Sequence, residues 1–242
     1  MNTGGAFDPL REKWSAYALP KIEGAARAAA DGAVVAPTSL GDMTVALLNN
    51  GVRLRLGPSR AIDYGLLVGA TAARPADVLE SDGVTTISNG TFRFELENET
   101  LAFKLFKNGA PVIKSATDGH FVRSYRLPPF ARVDNGWIAH FDLGSNDRIY
   151  GLGEKWGPLN KRGQLIQSYN HDALGVNTEA SYKNAPFAWS PRGWGVFCHT
   201  PSPVTHGVGF PSWSQRAYGV FIEDASLDLF VFAGEDGADL IG

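Results

Sequence analysis

The chain is poor in sulfur: its 242 residues include one cysteine, Cys198, and two methionines. A lone cysteine forms no intrachain disulfide, so no bridge framework holds the fold and nothing here argues for export. Cys198 stands in the apolar run WGVFCH and reads as a small buried hydrophobe rather than a reactive thiol. No apolar stretch approaches the ~20 residues of a membrane-spanning helix. Charge is sparse and balanced, 22 basic against 25 acidic residues for a net charge of −3. The basic stripe of a nucleic-acid-binding surface is missing, so neither nucleic acid nor membrane is an expected partner. The opening residues MNTGGAFDPLREKW lack the basic start and apolar stretch of an export signal, so the expected compartment is the cytoplasm.

Several chemistries also lack their residues. Gly151, Gly153 and Gly157 give G-x-G-x-x-x-G, one residue wider than the dinucleotide fingerprint, and no helix pattern follows. No phosphate-loop spacing occurs. No G-x-S-x-G elbow offers a serine nucleophile. The five histidines, His120, His140, His171, His199 and His206, show no pair at metal-ligand spacing, and read as surface or half-buried imidazoles. No metal and no cofactor is therefore expected.

What is abundant is alternation. From about Met43 the hydrophobic period becomes two. MTVALL and VRLRLG flank Asn49-Asn50-Gly51 as a hairpin, with Val52, Leu54 and Leu56 on one face and Arg53 and Arg55 on the other. TFRFELE repeats the device with Phe92, Phe94 and Leu96 inward. LAFKLFKNG, GWIAHFDL, PFAWS, GWGVFCHT, RAYGVFIE and SLDLFVFAG follow. Short alternating strands between turn residues predict an all-β antiparallel β-sandwich. Residues 1–40 are expected to be a peripheral segment, irregular or helical, with one short helix over Asp8 to Tyr17 and an Ala-rich stretch from Ile22 to Asp31. The sandwich takes residues 41–233. Residues 234–242 then look like the start of a linker, with Ala238 to Ile241 opening a helix.

The densest cluster of special residues is YGLGEKWGPLNKRGQLIQSYNHDALGV, Tyr150 to Val176. A connection this rich in glycine costs conformational entropy and is usually functional. Asp172 stands near its tip beside His171. Its carboxylate suits two hydroxyls of a sugar, or an Asx turn holding the loop's own backbone, and the residues alone favour the turn. Trp156 is either an aromatic platform for a sugar ring or a plug beneath the loop, and the plug is favoured. Glu154 reads as a structural carboxylate, and Lys161-Arg162 as a solvated turn.

In order, YGLGEKW at Tyr150, KRGQ at Lys161, YNHD at Tyr169, YKNAPF at Tyr182 and RGWGVF at Arg192 resemble the N-terminal sandwich of glycoside hydrolase family 31, the α-glucosidases and α-xylosidases. Tyr169 stands where that family often has tryptophan. The resemblance implies a galactose-mutarotase-like sandwich packed on a following (β/α)₈ barrel that carries both catalytic aspartates. The W-x-D-M-N type motif of the nucleophile is missing here, so no catalytic residue is expected in this chain. It further implies that Asp172 contacts substrate hydroxyls, with His171 and Trp156 beside it. The expected partners are an oligosaccharide or α-glycoside substrate and the parent's own barrel, and association into a homo-oligomer stays open. Two alternatives stand: a free-standing sugar epimerase using His120, His140 or His199 as acid–base groups, or a non-catalytic carbohydrate-binding module.

Overall fold

A computed structural model describes residues 18–58, 64–68, 72–116, 127–133, 135–172 and 180–241. Three antiparallel sheets make up almost all of it. The largest has eight strands in the order β1 (Arg27–Ala28), β2 (Val34–Thr38), β3 (Gly41–Leu47), β4 (Gly51–Leu56), β18 (Leu227–Ala233), β15 (Trp194–Cys198), β14 (Phe187–Ser190) and β12 (Tyr150–Gly151). A five-stranded sheet runs β10 (Phe130–Val133), β11 (Gly136–Asp142), β17 (Ala217–Ile222), β16 (Val204–Val208) and β13 (Gln164–Ser168). A meander of five strands completes the fold: β5 (Asp77–Ser81), β6 (Val84–Ser88), β7 (Phe92–Glu97), β8 (Phe103–Lys107) and β9 (Ala110–Lys114). The expected all-β sandwich is what forms.

Alternation decides which face is buried. Val52, Leu54 and Leu56 on β4, and Phe92, Phe94 and Leu96 on β7, enter one core cluster that draws on all three sheets. Aromatic rings run from one five-stranded sheet to the other: Phe94 stacks on Phe103, which meets Phe130 and Phe141, and Phe141 stacks on Tyr218. Cys198 is wholly buried in this core, and burial pushes its thiol pKa up. The expected hairpin at Asn49-Asn50-Gly51 forms, with Val52 opposite Leu47.

The differences lie where local pattern was weak. The stretch Ile22 to Asp31 is not helical: Ile22 bridges Thr38 and β1 adds to the edge of the large sheet. β2 pairs fully with β3, and its Val34 and Ala36 are buried. The alanines of Ile22 to Asp31 are exposed or half-buried, and it is pairing at the sheet edge, Arg27 with Val35 and Ala28 with Val34, that wins over their helix propensity. β13 and β16 were missed because QLIQS and VTHGV carry too few large apolar residues to show alternation, although every residue of β16 is buried. His140, His199 and His206 are buried, contrary to the surface or half-buried expectation, and His171 is exposed. A short helix α1 (Gly237–Ile241) follows β18, where a helix was expected to open. The expected helix over Asp8 to Tyr17, and His120, lie outside the described residues.

Candidate functional site

The loop after β12 is shaped by its first turn. Gly151, Leu152 and Gly153 are three consecutive residues with positive φ, at 98°, 68° and 75°. A Cβ on Gly151 would lie 2.3 Å from Phe187 O, and one on Gly153 2.3 Å from Lys183 O. Glycine is required at both places by space as well as by backbone angle. Leu152 is the non-glycine between them. It accepts a left-handed conformation that costs about 1–2 kcal/mol, and its fully buried side chain offsets that cost. The turn lays this segment against the one before β14: Leu152 N donates to Phe187 O at 2.8 Å, and Glu154 N to Lys183 O at 2.8 Å.

Asn184, in YKNAPF, ties three chain segments together. Its backbone N–H donates to Asn170 Oδ1 at 2.8 Å, and its Nδ2 donates to Tyr169 O at 2.7 Å and Ser181 O at 2.9 Å. Its Oδ1 accepts from Lys155 Nζ, which also donates to Gln167 O at 2.7 Å. Ser181 Oγ donates to Glu154 O at 2.7 Å, and His171 N donates to Ser181 O at 3.1 Å. The loop is therefore a cross-linked platform.

Asp172 is exposed on this platform, and among the described residues its carboxylate accepts no hydrogen bond and makes no ion pair. His171 is exposed beside it, its ring 5.0 Å from that of Tyr169 in an edge contact. Trp156 divides between its two expected roles: its indole N–H donates to Ala180 O at 3.2 Å, yet the residue remains 50% exposed. Tyr169 at 41% and Tyr182 at 53% add two more half-open rings. Residues 154, 156, 169, 171, 172 and 182 thus lie on segments tied to one Ser181–Asn184 framework, and among the described residues the carboxylates of two of them, Glu154 and Asp172, are unpaired.

Two expectations about this loop are corrected. Glu154, read as a structural carboxylate, is tied in through its backbone alone, N–H to Lys183 O and carbonyl to Ser181 Oγ; its side chain is exposed and among the described residues its carboxylate makes no hydrogen bond or ion pair. Lys161-Arg162 is no solvated turn. Lys161 is 3% exposed with Nζ on Pro158 O, while Arg162 donates to Gly144 O, Asp147 O and Gln215 O. These carbonyls come from loop ends that need a donor, and a cation supplies several at once. Asn184, inside YKNAPF, was not singled out from the sequence, because its partners at 155, 169, 170 and 181 meet it only in the fold. Among the described residues no three His, Cys, Asp or Glu side chains converge as a metal site.

The family profile for the glycosyl hydrolase 31 N-terminal galactose mutarotase-like domain matches residues 42–206, which is more than half of the chain and includes this platform. The chain belongs to that family. An α-xylosidase of Emericella nidulans is 35% identical over 104 residues, 43% of this chain and 13% of that protein. The α-xylosidase XylQ of Lactiplantibacillus pentosus is 34% identical over 128 residues, 50% of this chain and 16% of that protein. The chain thus covers a small part of the curated relatives it matches. The family-31 dextranase of Flavobacterium johnsoniae in complex with glucose shares the fold with a TM-score of 0.75 at 18% identity, over 92% of this chain and 27% of that one. A family-31 α-xylosidase from a soil metagenome, complexed with xylose, shares it with a TM-score of 0.64 at 16% identity, over 88% and 32%.

Proposed function

We propose that this chain is the substrate-loop-bearing sandwich of a retaining α-glycosidase, with α-xylosides as the first substrate class, and that it does not cleave glycosidic bonds alone. The observation that supports this most directly is the family match over a segment containing the cross-linked loop. The xyloside preference rests on the two curated relatives, both α-xylosidases. In this reading Asp172 accepts hydrogen bonds from substrate hydroxyls, and the half-exposed Trp156, Tyr169 and Tyr182 offer ring faces to the sugar. A cross-linked loop backbone suits that role, because a segment ordered before binding loses little entropy on binding. The two carboxyl groups that a retaining mechanism holds roughly 5–5.5 Å apart belong, in this reading, to a catalytic domain of the parent enzyme.

The test is Asp172→Ala in the parent enzyme with p-nitrophenyl α-xyloside. Charge-assisted hydrogen bonds to substrate are worth roughly 1.5–3 kcal/mol, so kcat/KM should fall by one to two decades. The melting temperature should stay unchanged, since the exposed carboxylate has no partner among the described residues. An unchanged kcat/KM ends the substrate-contact reading. Steady turnover of the same glycoside by the purified 242-residue chain refutes the assignment of catalysis to another domain.

A further inference from the structure

The hydrogen bonds around Asn184 run in one direction, from a clamped segment to the one that leads into Asp172. On the clamped side, Glu154 N donates to Lys183 O and Leu152 N to Phe187 O, each at 2.8 Å. These bonds press residues 183–187 against the glycine turn after β12, whose own backbone has no room to shift. On the other side stand Tyr169, Asn170 and His171. Asn184 Nδ2 donates to Tyr169 O at 2.7 Å and lies 3.1 Å from Asn170 Oδ1, which also receives the Asn184 backbone N–H at 2.8 Å. His171 N donates to Ser181 O at 3.1 Å. Ser181 is held by Asn184 in its turn, its carbonyl by Nδ2 at 2.9 Å and its hydroxyl by Oδ1 at 3.2 Å.

Only an amide of this length satisfies the set. Oδ1 faces donors, Lys155 Nζ and the Ser181 hydroxyl, while Nδ2 faces acceptors, Tyr169 O, Ser181 O and Asn170 Oδ1. A carboxylate of the same shape would keep Lys155 but turn a charged oxygen on three other oxygens. Glutamine's added methylene would displace both ends of the amide at once. The Lys155 ammonium on Oδ1 also polarises the group, which strengthens donation from Nδ2 to the loop carbonyls.

Two soft dihedrals, those of His171, separate its anchored N–H from the backbone of Asp172. What Asn184 fixes therefore reaches Asp172 with little slack. Misplacing a substrate-positioning group by about 1 Å can lower a rate about a hundredfold, so a bond network one residue away acts on turnover as well as on stability.

We propose that Asn184 is a positioning residue for the substrate loop: its side-chain amide sets the backbone from Tyr169 to His171 and, through it, the placement of Asp172. This inference rests on the reading of Asp172 as a substrate contact and adds the residue that makes the contact effective.

Kinetics of the parent enzyme with p-nitrophenyl α-xyloside, each variant assayed below its melting temperature, test it. Asn184→Ala and the near-isosteric Asn184→Asp should each lower kcat/KM about tenfold, with the loss divided between kcat and KM as it is in Asp172→Ala. Combining Asn184→Asp with Asp172→Ala should give an enzyme no slower than Asp172→Ala alone, because a residue that acts through Asp172 then has nothing left to place. Ser115 supplies the control for lost stability. Its buried hydroxyl receives Phe103 N at 3.0 Å, and its backbone bridges Phe141, between the two five-stranded sheets. Ser115→Ala should destabilise the fold and leave kcat/KM unchanged. If kcat/KM falls in Asp172→Ala and survives both Asn184 variants, the proposal is overturned while the substrate-contact reading stands. Losses that multiply in the double variant overturn it, as does a Ser115→Ala loss equal to that of Asn184→Ala. So does failure of both Asn184 variants to fold, since the amide would then hold the whole domain. An unaffected Asp172→Ala overturns the contact reading and this inference together.

Discussion

Gly153 and Gly163 make a matched pair for testing what holds the loop. Both are left-handed, with φ of 75° and 84°. A Cβ on Gly163 would meet nothing within 4 Å, so Gly163→Ala bears only the backbone term, about 1 kcal/mol. A Cβ on Gly153 would lie 2.3 Å from Lys183 O, 2.6 Å from Ala185 N and 2.9 Å from Asn184 Cα. All three are backbone atoms, which cannot swing aside as a flexible side chain could. Relief requires residues 183–185 to move outward, which breaks the Glu154 N to Lys183 O bond and pulls Asn184 off Asn170 and Tyr169. Overpacking of this kind adds about 1–3 kcal/mol, so Gly153→Ala should cost about 3 kcal/mol in all. At roughly 2–4 °C per kcal/mol for a domain of this size, melting should fall by about 9 °C for Gly153→Ala and about 3 °C for Gly163→Ala. Thermal and urea unfolding, followed by far-UV circular dichroism and tryptophan fluorescence, read both. Equal shifts for the two variants would refute the claim that close backbone packing, rather than backbone angle, fixes this loop.

Other outcomes follow from the buried groups. Asn184→Ala should remove about 2 kcal/mol of hydrogen bonding and speed amide exchange at His171 and Glu154, leaving exchange along β11 and β17 unchanged; uniform acceleration would show that the loop is no separate unit. Burial depresses the pKa of His140 to about 4, against an opposing hydrogen bond to Pro128 O, and burial with the charge of Lys155 depresses that of His206 to about 3. The unfolded chain therefore takes up protons that the fold refuses, so stability should fall below pH 6.5 by about 1.4 kcal/mol per pH unit for each histidine. That loss should level off near each depressed value, and His206→Asn should flatten the slope; a flat profile from pH 6.5 to 4 contradicts this account. Asp228, lowered rather than raised, contributes stability above the ordinary aspartate pKa and loses it as pH falls further, so Asp228→Asn should flatten the limb below about pH 4. Cys198 should resist a thiol-specific disulfide reagent in the native protein and react once denatured; rapid native labelling would contradict its burial.

How far the sequence reaches differs from element to element. Alternation through VRLRLG, TFRFELE and SLDLFVFAG determines strands by itself, because a period of two can bury only one face and fixes that face residue by residue. The glycines of YGLGE and the order of the motifs after it determine the family, and with it the sandwich. Other features depend on distant partners. β2 is a strand because it pairs with β3, Val34 opposite Val45 and Ala36 opposite Met43, and the buried His206 has the Tyr218 hydroxyl 2.8 Å from its Nδ1 as a hydrogen-bond partner. Arg53 and Arg55 are equivalent in sequence, two outward positions of one strand. Only the arrival of Asp228 on β18 and of His199 just after β15, 146 or more residues away, separates them, pairing Arg53 and leaving Arg55 with no ion pair among the described residues. Asn184 likewise becomes a suture only when segments near 155, 170 and 181 are folded against it. Local backbone preference and hydrophobic period are properties of neighbours in sequence, so the sequence displays them. Hydrogen-bond partners and cavities are properties of neighbours in space, and these arise only in the folded chain.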